Sequence, residues 1–416
     1  MTVSAESSVG HVPSRRAATG PGPAARGASL LRLGPAFVAA IAYVDPGNIA
    51  TNTTAGSRYG FGLLWVVLLA VAAAGPVQYL SAKLGAVTGR SMALVLSTRL
   101  RPPVRVLYWL QAEGVAIATD LAEVVGASIA LHLLLGIPMW CGAILAAVLG
   151  AGLMVVHDRV GERCFQLVMV LGLVVIGTGF ILGVLLGPAP GGLDLRPALA
   201  DHQMVLLATG IVGATVMPHA IYLHSALTTS QPGSLRDRLR DNRLDVTLAM
   251  LLAGTVNVSM LVLGATALRG HRDEDFGALA QALADRVGDG ARIGFVLALL
   301  VSGITSTAVG IRSGEVVMAG LLRRGMPVAV RRLVVLVPAV VLLACDIPPV
   351  DLLVWSQVAL AIGLPMALIP LVRLTSSHTV MGDWANHRLT TVSSWAIVAV
   401  VVALDLTLLA IPLLGA

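Results

Sequence analysis

From residue 31 to the C-terminus, apolar runs of about 20 residues follow one another with only short polar breaks. Each is long enough to cross the hydrocarbon core of a bilayer as a helix. A segment in lipid must satisfy its own backbone hydrogen bonds, so runs of this length spell helices rather than irregular chain. Composition agrees: 56% of the 416 residues are hydrophobic and 12% are charged, about half the charge of a soluble domain. The expected fold class is an all-α integral membrane protein. Eleven spans are read at about 31–54, 61–83, 104–132, 137–157, 163–187, 203–229, 245–269, 291–322, 332–346, 350–374 and 391–415.

The flanks set a topology. The first 30 residues are rich in Ser, Gly, Pro and Arg and read as a disordered cytoplasmic tail without the apolar core of a signal peptide, so no processing is expected. With the N-terminus inside, 21 of the 28 Lys and Arg residues fall in cytoplasmic segments. That asymmetry supports N-terminus in and C-terminus out, in the cell membrane. It also accounts for the net charge of +6 without nucleic acid. Cys141, Cys164 and Cys345 are far apart, have no metal-ligand spacing and read as small buried hydrophobes.

Two spans are interrupted at matching depth. The first carries Asp45-Pro46-Gly47-Asn48, and the sixth carries Met217-Pro218-His219. Proline removes a backbone donor and glycine adds freedom, so both helices should be locally unwound. Unwound backbone at membrane depth persists only inside protein or beside a wet cavity. Spans one and six are equivalent positions in two five-helix halves, the arrangement of transporters built from inverted repeats. The domain reading is therefore a tail (1–30), a ten-span transport core (31–375), and a loop with an accessory eleventh span (376–416).

The residue types at the breaks favour a cation. A carboxylate at Asp45 needs a cation, a proton or a partner, or else it caps the broken helix. Asn48, at i+3, adds a neutral oxygen. The Met217 thioether among oxygens favours transition metals over Mg²⁺ and Ca²⁺. The breaks also free carbonyls one turn earlier, at Ala42 and Ala214. His219 and His224 ligate, relay protons or bond to backbone. In span three, Glu113, Asp120 and Glu123 share one helical face. A row of carboxylates in lipid must be protonated or paired. Arg331 and Arg332 begin span nine and could neutralise part of it. A structural ion-pair network is the alternative reading of this row.

The chain resembles the Nramp family of divalent metal transporters, in its bacterial MntH-type branch. The resemblance is carried by Gly34-Pro35-Ala36-Phe37 through Ala50-Thr51-Asn52, by Gln78-Tyr79-Leu80-Ser81-Ala82-Lys83-Leu84-Gly85, by Gln111-Ala112-Glu113 and by Ala118-Thr119-Asp120-Leu121-Ala122-Glu123. It continues in Met217-Pro218-His219, Tyr222-Leu223-His224-Ser225, Ser356-Gln357-Val358 and Leu364-Pro365. It implies a LeuT-like fold of 5+5 inverted repeats and symport of Mn²⁺ or Fe²⁺ with protons. Metal would be held by Asp45, Asn48, Met217 and the carbonyls of Ala42 and Ala214, with Gln357 joining in one conformation. His219, Asp120, Glu123, Glu113, His224 and Arg331 or Arg332 would form the proton route. The metal ions and protons are cargo; no cofactor, no enzymatic reaction and no obligatory protein partner is expected.

Span eight departs from the family pattern. Ile304 stands where a Gln is usual, and Arg312 to Glu315 replace an uncharged stretch. Arg312 and Glu315 are three apart and are expected to pair with each other. Rival readings are a magnesium or aluminium carrier, which Met217 disfavours, and an organic-substrate symporter, which would not need this donor set. A membrane enzyme or sensor finds no nucleophile–base pair, HExxH motif, phosphate loop or signalling domain.

Overall fold

The computed structural model describes residues 34–187, 196, 199, 201–268, 276–322, 328–345 and 347–410. The expected tail, residues 1–30, lies outside them. Among the described residues all regular structure is helical. The helices are α1 (Pro35–Ile41), α2 (Pro46–Tyr59), α3 (Leu64–Thr88), α4 (Met92–Ser97), α5 (Pro102–Leu135) and α6 (Met139–Val160). They continue with α7 (Glu162–Leu186), α8 (His202–Thr215), α9 (Pro218–Leu227), α10 (Leu235–Ala267), α11 (Phe276–Val287) and α12 (Asp289–Leu321). The last are α13 (Val328–Ala344), α14 (Pro349–Thr375), α15 (His378–Met381) and α16 (Arg388–Ala410).

Among the described residues, eight helical stretches are long and apolar enough to cross a bilayer, and three shorter apolar ones, at Pro35–Val44, Met139–Val155 and Leu333–Ala344, complete the expected series. Proline opens many of them. α1, α2, α5, α9 and α14 each start with Pro at the first helical turn, where its missing N–H costs no hydrogen bond. Gly89 and Gly136, in left-handed backbone, close α3 and α5.

Both expected breaks are present, and both are short. α1 passes through one 3-10 turn, Ala42–Val44, to Asp45, which is extended at φ −67 and ψ 164, before α2 begins. α8 ends at Thr215, and Val216 and Met217 separate it from α9. The two helix pairs sit inside the bundle: α2 packs on α10, α8 and α14, while α9 packs on α3 and α12. α12 lies along α5, which places span eight against the carboxylate row of span three.

Some expectations need correction. Span seven begins at Leu235 rather than 245, because Ser234 caps the helix by accepting from the Asp237 N–H at 3.3 Å. Arg236, Arg238, Arg240 and Arg243 therefore ride on a helical extension, not in a loop. α4 and α11 are additional helices in segments read as connections. α11 buries Phe276, Leu279, Ala280 and Leu283, a helical period, against its neighbours. The cysteines are unpaired, but Cys345 is exposed and Cys141 and Cys164 are only half-buried, since all three lie near helix ends rather than in the core.

Candidate functional site

Asp45, Asn48, Met217 and Gln357 have no solvent exposure at all. The break in span one and the helix α14 meet at the Asp45 carboxylate. Its Oδ1 accepts from the Asn48 N–H at 2.8 Å, capping α2. Its Oδ2 accepts from Gln357 Nε2 at 3.2 Å. Asp45 is thus both a helix cap and half of a buried polar pair. Gly47 makes that pair possible. A Cβ there would sit 1.7 Å from Gln357 Nε2, so any larger residue would push the amide away from the carboxylate.

Beside the first break, the carbonyls of Tyr43 and Val44 accept from side chains. Asn48 Nδ2 and Asn257 Nδ2 both donate to the Tyr43 carbonyl, the latter at 3.1 Å. Ser302 Oγ donates to the Val44 carbonyl at 2.6 Å. Ala42 lies inside the 3-10 turn and Ala214 in the last turn of α8, both buried. Asn48 is more heavily engaged than expected. Its amide also donates to Asn257 Oδ1 at 2.5 Å, and its oxygen accepts from Asn52 Nδ2 at 2.5 Å. Asn52 and Asn257 were not singled out in the sequence, although Asn52 stands at i+4 from Asn48. Asn257 had a signal of its own: an amide in an otherwise apolar stretch of span seven.

At the second break, Met217 takes the N-cap position of α9 without donating or accepting a side-chain cap bond. His219 follows, its Nδ1 3.5 Å from Thr119 Oγ1 on α5 and its carbonyl accepting from Ser313 Oγ on α12 at 2.8 Å. His219, Glu113, Tyr222 and Ser313 line a narrow cleft between α5, α9 and α12. His224 is fully buried and pairs its Nδ1 with Gln78 Oε1 of α3 at 2.6 Å.

Asp120 and Glu123 are brought together over Gly310 of α12. A Cβ at Gly310 would lie 2.6 Å from Asp120 Oδ1 and 3.2 Å from Glu123 Oε2. Glu123 is fully buried and lies within electrostatic reach of both Asp120 and Asp45. Arg331 and Arg332 stand in the first turns of α13, and their side chains lie outside the described residues. Arg312 and Glu315 do pair, Nη1 to Oε2 at 3.3 Å, as their spacing implied.

Comparison with known proteins decides which family carries these paired breaks. The model of the natural resistance-associated macrophage protein-like family, Nramp, matches residues 36–411. The chain belongs to the Nramp family. It is 44% identical over 393 residues to the divalent metal cation transporter MntH of Mycobacterium tuberculosis, covering 92% of each chain. It is 41% identical over 388 residues to the transporter of the same name from Bacillus subtilis, covering 91% of each. Among solved structures, the manganese transporter of Eremococcus coleocola superposes with a TM-score of 0.82 at 28% identity, over 94% of this chain and 88% of that one. MhsT, solved with L-phenylalanine, matches at a TM-score of 0.64 and 15% identity over 91% of this chain and 98% of that one. The last likeness is one of fold alone, and it places this Nramp protein in the LeuT-like fold class expected from the paired breaks.

Proposed function

We propose that the protein is a secondary transporter of the cell membrane, N-terminus inside, that imports Mn²⁺ and Fe²⁺ by symport with protons. The observation that carries the reading is the fully buried Asp45 carboxylate, set at a helix break opposite Gln357 and in the same family motif pair as Met217. Membership in a family whose named relatives are divalent metal cation transporters supports the substrate class.

The donors suit cargo rather than a resident ion. Among the described residues, no three His, Cys, Asp or Glu side chains cluster as a metal cage. One carboxylate with neutral oxygens and a thioether can hold a transition metal and still release it. Asn48 and Gln357 would each exchange a present hydrogen bond for the ion, so occupancy rearranges the same polar contacts that now close the site.

Proton coupling follows from charge. A 2+ ion beside Asp45 favours the ionised carboxylate, so a proton held there would leave as metal binds. Glu123, within electrostatic reach of Asp45, and His219, in the cleft with Glu113, are the candidate receivers. An inside-negative potential adds about 2.3 kcal/mol per charge per 100 mV to inward movement.

Uptake by the purified protein in proteoliposomes tests this, using Mn²⁺, Fe²⁺, Co²⁺, Zn²⁺, Mg²⁺ and Ca²⁺ at two pH values. Wild type should take up Mn²⁺ and Fe²⁺ faster under an inward proton gradient. Asp45→Ala should abolish uptake while eluting as a folded protein; full uptake by that variant would remove the site. Met217→Ala should keep Mn²⁺ uptake and admit Mg²⁺ or Ca²⁺ more readily, and unchanged selectivity would remove the role of the sulfur.

A further inference from the structure

We propose that the cytoplasmic end of the groove between α3 and α10, at Lys83 and Arg243, binds the phosphate of an anionic phospholipid. Of the function above, this rests only on the orientation. Lys83 is 9% exposed, and its ammonium donates to a neutral acceptor, Asn386 Oδ1, at 2.8 Å. Asn386 is itself pinned to Thr375, through its N–H at 3.0 Å and its side-chain amide at 2.9 Å. Arg243 lies within electrostatic reach of Lys83. Its guanidinium sits 5.2 Å from the centroid of the Tyr79 ring and donates to the Tyr79 hydroxyl at 3.3 Å.

Among the described residues neither cation has an ion-pair partner. The nearby Asp245 carboxylate is occupied by the N–H groups of Gly34 and Ala36, at 3.0 and 2.9 Å. A nearly buried ammonium beside a second cation is costly until an anion neutralises the pair. Basic pockets between helices at the cytoplasmic surface are suited to lipid phosphate.

The source of the phosphate follows from the surface beside it. Starting next to Arg243, α10 exposes Leu244, Leu248 and Leu251 at 55%, 41% and 64%. These positions fall on one helical face and lead from the charged end into the hydrocarbon region. An acyl chain would cover that stripe while its phosphate reaches the cations. A soluble phosphate would gain only the charge contacts.

Native mass spectrometry on the full-length protein in neutral detergent tests the site, with dioleoyl phosphatidylglycerol or dioleoyl phosphatidylcholine added. Retention of phosphatidylglycerol should exceed that of phosphatidylcholine by about tenfold and fall about fivefold with each cation removed, by Arg243→Gln or Lys83→Gln. Arg90→Gln should retain the lipid. Because Arg243 is exposed, its variant keeps the test valid if Lys83→Gln fails to fold. Equal retention of the two lipids, or an unchanged Arg243→Gln, would overturn the proposal. So would inorganic phosphate raising the melting temperature as much as phosphatidylglycerol does. Lipid retention is read without transport, so failure here and failure of metal uptake are separate results.

Discussion

Gly47 sets the geometry of the Asp45 site through what it lacks. The Gln357 amide occupies the space of its missing side chain. Gly47→Ala should therefore displace Gln357 from Asp45 and lower Mn²⁺ uptake by about 10- to 100-fold, the usual effect of losing a group that orients a metal ligand. Combining it with Gln357→Ala should add little, because both changes remove one contact; additive losses in the uptake assay would separate the two residues. The breaks at Asp45 and Met217 were legible in the sequence because each precedes a proline inside an apolar run. The Asn48–Asn52–Asn257 contacts were not, since they depend on α10 crossing the first break more than 200 residues away. Pattern within one span does not encode that crossing.

Among the elements, α5 and α12 show how a neighbour can carry a constraint that a span does not reveal by itself. Glu113, Asp120 and Glu123 could be placed on one face by period alone, but the bare backbone they lean on, Gly310, belongs to span eight. Gly310→Ala should spread Asp120 and Glu123 and reduce proton flux more than metal flux, read as separate fluxes in liposomes. A second element-level link joins the end of α2 to the start of α8. The Tyr59 hydroxyl donates to Asp201 Oδ1 at 2.8 Å, and Arg58 donates to Gln203 at 2.7 Å, tying α2 to the start of α8. The Met204 N–H and the Tyr59 hydroxyl hold the Asp201 carboxyl below the usual carboxylate range. Its contribution is thus fully present above the ordinary Asp pKa and disappears as the pH falls through the depressed value. Asp201→Ala should cost on the order of 1 kcal/mol through the lost cap, and the gap in thermal stability from wild type should shrink in acid. Proline content did not mark the breaks unaided. Pro76, Pro338, Pro365 and Pro370 lie inside continuous helices. Pro46 and Pro218 differ because an extended residue, Asp45 or Met217, precedes each.

For the whole molecule, the count and order of spans were legible because lipid demands a helix for each long apolar run. The helices α4 and α11 were not, since short segments gain their helicity from packing rather than from hydropathy. The native cysteines offer a direct test of topology. With the N-terminus inside, Cys345 at the end of α13 faces outward and Cys164 near the start of α7 faces inward. A membrane-impermeant maleimide should label Cys345 in intact cells and reach Cys164 only after permeabilisation; the reverse order would invert the protein. Asp245 makes a contact of longer range. It caps α1 from another helix, so this seven-residue stub is latched by a different element of the bundle. Any motion of the stub away from α10 must break both hydrogen bonds, and its return restores them together. The position of α1 is therefore set by a carboxylate more than 200 residues away in the chain.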